Sequence, residues 1–291
     1  MDRSELLRRI SAFPIISASL AESFMPGGFR AAFKGNGIEF DEVRRYESGD
    51  DVRSIDRNVS ARFGVPYIKL YREDREMCVC VVLDCSASMF SGVSAPLTRY
   101  EQAVFCAALV AFSAEYAGQK MCALFFDAET RTVFKPRRGR AHTMAFIGAA
   151  LSANPHSKGT SLSSALKSAS NVLKRRGVVV VVSDFLAVDW ERDFNALCIK
   201  HDCIAIKIKD PVEDAFPKTG LLPIEDPETG KTLLAPSNSA RFRLEWAEWH
   251  EKRRQNWLSI CKSCGASGVE ISTDEDAGAA LQRFFRNRRK K

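Results

Sequence analysis

Four stretches of the chain are apolar but for two lysines in the last, and each runs into a polar residue. Cys78–Leu83 runs into Asp84, Met121–Phe126 into Asp127, Gly177–Val182 into Ser183-Asp184, and Cys203–Lys209 into Asp210-Pro211. Short apolar runs of this kind read as strands buried on both faces, as in a parallel sheet. Between them lie segments with helical spacing. The clearest is Thr98–Ala117, where Ala103, Val104, Ala107, Ala108, Val110 and Ala111 form one apolar face; Gly139–Leu151, Ser161–Arg175 and Trp190–Lys200 follow. Strand and helix alternating over this length predict an α/β protein, a doubly wound, mainly parallel sheet flanked by helices. Thr132–Lys135 adds a short edge. In such a sheet Asp84, Asp127, Asp184 and Asp210 lie along one rim, at the strand ends where ligands gather.

The flanking segments have a different pattern. Residues 1–27 predict a helix ended by Pro26-Gly27-Gly28. Phe33–Asp74 is dense in charges and turn residues, with a turn at Ser48–Asp51 and Val52, Ile55, Val59 and Phe63 at helical spacing, which predicts a short helix. Tyr67–Tyr71 predicts a strand, joined through Arg72–Glu76 to the Cys78 strand as a neighbour or hairpin partner. This gives two parts, an N-terminal segment over residues 1–75 packing on the sheet and the sheet domain over 76–291. Beyond Asp214 the pattern predicts a hairpin over Leu221–Leu234 turning at Asp226–Gly230, a long charged helix from Arg241 to Lys262, a strand at Val269–Ser272 and a helix at Asp276–Arg286. Leu244, Ala247, Trp257 and Leu258 on the long helix need a surface, so these elements are expected to cover the sheet edge.

Composition adds modest constraints. In 291 residues, 45% hydrophobic and 27% charged content is that of an ordinary globular protein. No apolar run approaches the ~20 residues of a membrane helix, and Met1–Leu20 lacks a cleavable signal pattern, so the expected location is cytoplasmic. Cys78, Cys80, Cys106, Cys122 and Cys203 sit in apolar segments, as reduced thiols do. Cys261-x-x-Cys264 has no second pair and reads as two incidental thiols near a helix end. The net charge of +7 resolves into clusters at Arg137–Arg140, Lys174–Arg176, Lys252–Arg254 and the C-terminal tail. No nucleic-acid motif accompanies them, so they read as solvated helix ends and a tail.

The candidate chemistry begins at Asp84-x-Ser86-x-Ser88. One carboxylate and two hydroxyls on a turn after a buried strand form an all-oxygen cluster suited to a hard ion such as Mg²⁺ or Mn²⁺. A phosphotransferase or phosphohydrolase with Asp84 as nucleophile wants a second acid two residues on, where this chain has Ser86. There is no P-loop, and no histidine stands beside a nucleophile. A metal-dependent phosphohydrolase on the same rim nevertheless stays as the alternative.

Taken with Gly159-Thr160 before a helix and Ser183-Asp184 after a second strand, the triplet resembles the metal-ion-dependent adhesion site (MIDAS) of von Willebrand factor A-like domains. The resemblance implies Asp84, Ser86, Ser88, Thr160 and Asp184 as Mg²⁺ ligands, some through water. Two carboxylates and three hydroxyls leave a position that an acidic residue of a protein partner fits. The plainer alternative makes Ser86, Ser88 and Thr160 helix caps and Asp184 a turn cap. Upstream, GNGIEF (35–40), RRYESGDD (44–51), RSID (53–56) and Ser60-Ala61-Arg62, with His201-Asp202 and Asp210-Pro211-Val212-Glu213 downstream, resemble the domain-of-unknown-function 58 family, with Arg57 where that family has tryptophan. This second resemblance implies a non-enzymatic, magnesium-dependent protein-binding module working beside a MoxR-type AAA+ ATPase, in chaperone-like assembly or activation of other proteins. The charges of the upstream segment admit two readings, an ion network holding it to the sheet or a docking face for the ATPase.

Overall fold

A computed structural model describes residues 38–73, 77–91, 96–155, 159–225 and 231–288. The helix expected over 1–27 and the turn at Asp226–Gly230 lie outside these residues. The described chain divides near residue 76 into two compact units.

The smaller unit holds strand β1 (Ile38–Arg45), a 3₁₀ turn (Val52–Ser54), helix α1 (Arg57–Phe63) and strand β2 (Tyr67–Glu73). β1 was not expected, since its polar composition hides a strand among turn signals. It pairs antiparallel with β2 from Arg45↔Tyr67 to Ile38↔Glu73. The short helix expected from Val52 is broken at Ile55-Asp56, because Asp56 caps α1 by accepting the N–H groups of Asn58 and Val59. Local charges satisfy one another here: Arg44 grips Asp50 with two bonds of 2.8 Å.

The larger unit opens with β3 (Cys78–Asp84), α2 (Ala87–Phe90), α3 (Arg99–Tyr116), β4 (Lys120–Phe126) and β5 (Thr130–Arg137). It continues with α4 (Arg140–Ser152), α5 (Leu162–Val172), β6 (Val178–Ser183), α6 (Glu191–Lys200), β7 (Asp202–Lys209) and a 3₁₀ turn (Pro211–Glu213). Then come β8 (Leu221–Glu225), β9 (Thr232–Pro236), α7 (Ala240–Ser263), β10 (Ser267–Ser272) and α8 (Ala277–Arg288). Six strands form one sheet in the order β10-β7-β6-β3-β4-β5, with every neighbouring pair parallel except β4 and β5. This is the doubly wound, mainly parallel sheet that the apolar runs predict. One expectation fails: β3 takes β4 and β6 as its neighbours, and β2 pairs with β1 instead.

Five valines make β6 continuous with the core, and each buried valine stabilises by about 1.5–3 kcal/mol relative to exposure. One face of the sheet packs against α5, α6 and α7 through Leu162, Leu166, Phe194 and Trp257. Helix α3 is buried along nearly its whole length and starts at a capping box between Thr98 and Glu101. β10 extends the sheet beyond β7, and the β8–β9 hairpin forms a separate two-stranded sheet. Of the apolar positions on α7, Trp257 enters the core, whereas Leu244 stays 61% exposed. The Lys252–Arg254 cluster is mid-helix, and Arg254 pairs with Glu270 at 2.5 Å, so it is not a solvated helix end.

Two glycines test this packing in opposite directions. A Cβ added at Gly177, just before β6, would lie 2.4 Å from the Cys78 carbonyl oxygen, whereas one at Gly148 within α4 meets nothing within 4 Å. Gly177→Ala is expected to destabilise the protein by about 1–3 kcal/mol through overpacking, and Gly148→Ala to stabilise it by about 0.5–1 kcal/mol through helix propensity. Urea unfolding of both variants checks the pair.

Candidate functional site

From β3 the chain winds outward to β4 and β5, and from β6 it winds the other way to β7 and β10. The connections leaving β3 and β6 diverge, so a crevice opens at their carboxyl ends. Asp84 closes β3 and Asp184 follows β6. Both flank the crevice, and both are buried, at 0% and 2% exposure.

Asp84 Oδ1 accepts the Ser86 N–H at 2.9 Å, and Oδ2 accepts the Ser183 hydroxyl at 2.5 Å. Ser183 Oγ is itself fixed by the Phe185 N–H at 3.0 Å. The hydroxyls of Ser86 and Ser88 lie 3.1 Å apart, both buried. Asp184 Oδ1 accepts the Leu186 N–H at 3.0 Å, while its Oδ2 is buried with no hydrogen-bond partner among the described residues. A buried carboxylate oxygen left in that state needs a cationic or donor partner.

The third loop reaches the same rim. Gly159 turns the chain at a φ of +95°, and Ser161, the residue after Thr160, donates its N–H to the Asp127 carbonyl at 2.7 Å. Cys85 similarly donates to the Phe126 carbonyl at 2.7 Å, which locks the Asp84 turn to the end of β4. The capping alternative explains only part of this. Ser86 stands at the start of α2 without a side-chain cap bond, Ser161 and not Thr160 caps α5, and Asp184 uses one of its two oxygens in a turn. The other rim aspartates have structural tasks: Asp127 pairs with Arg131 at 2.6 Å, and Asp210 accepts the Val212 N–H at 2.9 Å.

Electrostatics separates the crevice from ordinary surface carboxylates. Burial raises both carboxyl pKa values. The charge of Asp184 pushes Asp84 further up, while bonds from Ser183 and Ser86 pull it partly back. At Asp184 the charge of Arg99, the Leu186 N–H and the nearby Ser88 hydroxyl oppose burial.

Arg99, Glu213 and His250 cluster beside the crevice; of the three, only Glu213 falls within one of the sequence signatures. Arg99 donates to Glu213 at 2.8 Å and to the carbonyl of Ser88 at 3.5 Å, and His250 Nδ1 lies 3.4 Å from the other Glu213 oxygen. Burial acts to raise the Glu213 carboxyl, but His250, Arg99 and the Asp210 N–H hold it down to about 2. The Asp210-Pro211-Val212-Glu213 signature is the sequence trace of this arrangement. Arg99, at the start of a helix, left none.

The donor set is two carboxylates and hydroxyls, with no nitrogen or sulfur, which suits a hard divalent ion. Among the described residues no three His, Cys, Asp or Glu side chains form a metal cluster, so hydroxyls would have to complete any coordination. All nine cysteines are free thiols.

Comparison with known proteins gives a family and a fold. The family model described as "Protein of unknown function DUF58" matches residues 42–256. Uncharacterized proteins of Mycobacterium tuberculosis and Mycobacterium bovis are 29% identical over 293 aligned residues, covering 100% of this chain and 92% of theirs. Among solved structures, an aerotolerance-related membrane protein from Bacteroides fragilis superposes with a TM-score of 0.50 at 14% identity, over 74% of this chain and 100% of that one. The von Willebrand factor type A protein from Catenulispora acidiphila gives a TM-score of 0.40 at 15% identity, over 77% of this chain and 43% of that one.

The paired carboxylates make a pH prediction for the protein in chelator. A carboxyl raised by folding contributes nothing below the ordinary carboxyl range, where both states are protonated; as pH rises past about 4 the unfolded state ionises first and stability falls. Asp84→Asn is therefore expected to raise the metal-free thermal midpoint at pH 8, by the equivalent of about 1–2 kcal/mol, and to change it little at pH 4. Calorimetry at the two pH values reads the difference.

Proposed function

Since this chain belongs to the DUF58 family, we propose that it is a non-enzymatic protein-binding module, dependent on Mg²⁺ or Mn²⁺, and that it works with a MoxR-type AAA+ ATPase in chaperone-like assembly or activation of other proteins. The observation that carries the reading is the orphaned Oδ2 of Asp184, buried beside a second buried carboxylate at the reversal of strand order. Asp84, Ser86, Ser88, Thr160 and Asp184 would hold the ion. When bound, it supplies positive charge to two buried carboxylates and an open position for an anionic oxygen.

The chain's own residues shape that position. Ser183 and the Ser86 N–H hold the Asp84 carboxylate from both oxygens, which keeps it oriented as a ligand. Arg99 fixes the Ser88 backbone from behind while Glu213 absorbs its charge. Ser86 occupies the place where a phosphohydrolase would need its second acid, so the arrangement favours presenting an ion over attacking a phosphorus. The acidic residue that completes the ion comes from the partner protein.

Mg²⁺ or Mn²⁺ at about a hundred times its dissociation constant adds roughly 2.7 kcal/mol by linkage, which at about 2–4 °C per kcal/mol raises the thermal midpoint by roughly 5–10 °C. Asp84→Ala and Asp184→Ala are expected to abolish that rise. An equal rise in all three proteins refutes the ligand set. A pull-down of a cognate MoxR-type ATPase is expected to weaken in chelator, and p-nitrophenyl phosphate to remain unhydrolysed. Hydrolysis lost in Asp84→Ala would instead establish the phosphohydrolase.

A further inference from the structure

A cleft of about 480 Å³ opens beside Asp184. One wall is the loop Asp184–Trp190, and the other is the middle of α7, with Trp249, Lys252, Arg253 and Asn256. The loop is held in an uncommon shape: Phe185 and Asp189 have φ values of 54° and 57°, left-handed conformations that cost about 1–3 kcal/mol for residues other than glycine. Packing enforces it. The Phe185 ring is clamped between Trp190 and Trp257, at centroid distances of 5.3 and 5.6 Å. Arg253 reaches across to donate to the Leu186 carbonyl at 3.3 Å while its guanidinium lies 4.9 Å from the Trp249 ring.

This fixed frame leaves apolar surface on both walls. Val188 on the loop is 75% exposed and Trp249 on the helix 50% exposed. The charges are mixed: Lys252 and Arg253 on α7 and Lys207 on β7 are cationic, against Asp189 on the loop, Glu191 at the start of α6 and Glu213 after β7. Mixed apolar and charged surfaces of this kind suit a polypeptide with varied side chains better than a small ligand, whose polar contacts converge at one enclosed point. Asp184 lines the cleft, so the cleft adjoins the candidate ion position. On the opposite side of that position, the Ser161 and Cys85 N–H groups are tied to the end of β4.

We infer that the cleft between the 184–190 loop and α7 seats an extended acidic segment of the partner protein. One acidic residue of that segment reaches the ion, an apolar side chain lies between Val188 and Trp249, and a second acidic residue faces Lys252 and Arg253. Exposed aromatic and arginine side chains at the centre of a contact are the residues that dominate binding energy. This inference rests on the reading of the ion as a partner-binding position, and it adds the location and chemistry of the bound segment.

The test uses the full chain and a phage-displayed random peptide library, panned in Mg²⁺ and eluted with chelator. Peptides with two acidic residues flanking an apolar one are expected to be enriched; a recovered set without acidic residues overturns the inference. The best peptide, fluorescein-labelled, is then titrated against the wild type, Asp84→Ala, Trp249→Ala, Val188→Ser and Arg253→Glu. Trp249→Ala and Arg253→Glu are expected to weaken binding at least tenfold and Val188→Ser by less, with Trp249→Ala and Val188→Ser keeping the Mg²⁺-dependent rise in thermal midpoint. If Asp84→Ala abolishes binding while the three cleft variants bind within twofold of wild type, the ion reading stands and the cleft assignment fails. If chelator and Asp84→Ala leave binding unchanged, the ion reading fails and takes the inference with it.

Discussion

Two carboxylates buried side by side, Asp84 and Asp184, are the constraint around which the larger unit is arranged. Each ends an apolar strand in the middle of the sheet, where desolvation is greatest and mutual repulsion is least screened. A chain selected only for stability would not keep such a pair. What surrounds them is correspondingly specific. Ser183 and the Ser86 N–H take the oxygens of Asp84, Leu186 takes one oxygen of Asp184, and Arg99 stands behind with its charge balanced by Glu213. Oδ2 of Asp184 is left without a hydrogen-bond partner among the described residues, and that is where the proposed ion would fit.

Much of this architecture can be read in the sequence because strands buried on both faces must be apolar throughout. The runs at Cys78, Met121, Gly177 and Cys203 became β3, β4, β6 and β7 almost residue for residue, and their terminal aspartates share one rim. Edge and surface strands carry no such mark. β1 is built from residues such as Glu39, Asp41 and Glu42, so its pairing with β2 had no signature in composition. The break between the 3₁₀ turn and α1 followed from a side chain, Asp56, whose capping bonds interrupt a helical spacing that apolar residues alone would have continued.

The candidate site divides in the same manner. Asp84, Ser86 and Ser88 are adjacent in sequence, and Thr160 and Asp184 follow in loops after or before recognisable elements. Arg99, Glu213 and His250 come from three distant segments, and a lone arginine in the first turn of a helix looks like any other. Their relation exists only once α3, the turn after β7 and α7 are packed together. The same holds for the cleft wall: Lys252–Arg254 looks like a solvated charge run, yet Arg253 and Arg254 are committed to Leu186 and Glu270 by the way α7 lies on the sheet.

The bond between Ser183 and Asp84 spans 99 residues of sequence. During synthesis, β3 and its serine turn leave the ribosome long before β6 exists to lie against it. Between β3 and β6 lie the β4–β5 hairpin and the four helices α2 to α5, so their parallel pairing closes a long stretch of chain. A nascent chain interrupted before residue 184 thus displays Asp84 without its counterpart and has no crevice to offer. In a truncated translation product the proposed ion position therefore lacks one of its two carboxylates, and only a chain made past β6 brings both to the same rim.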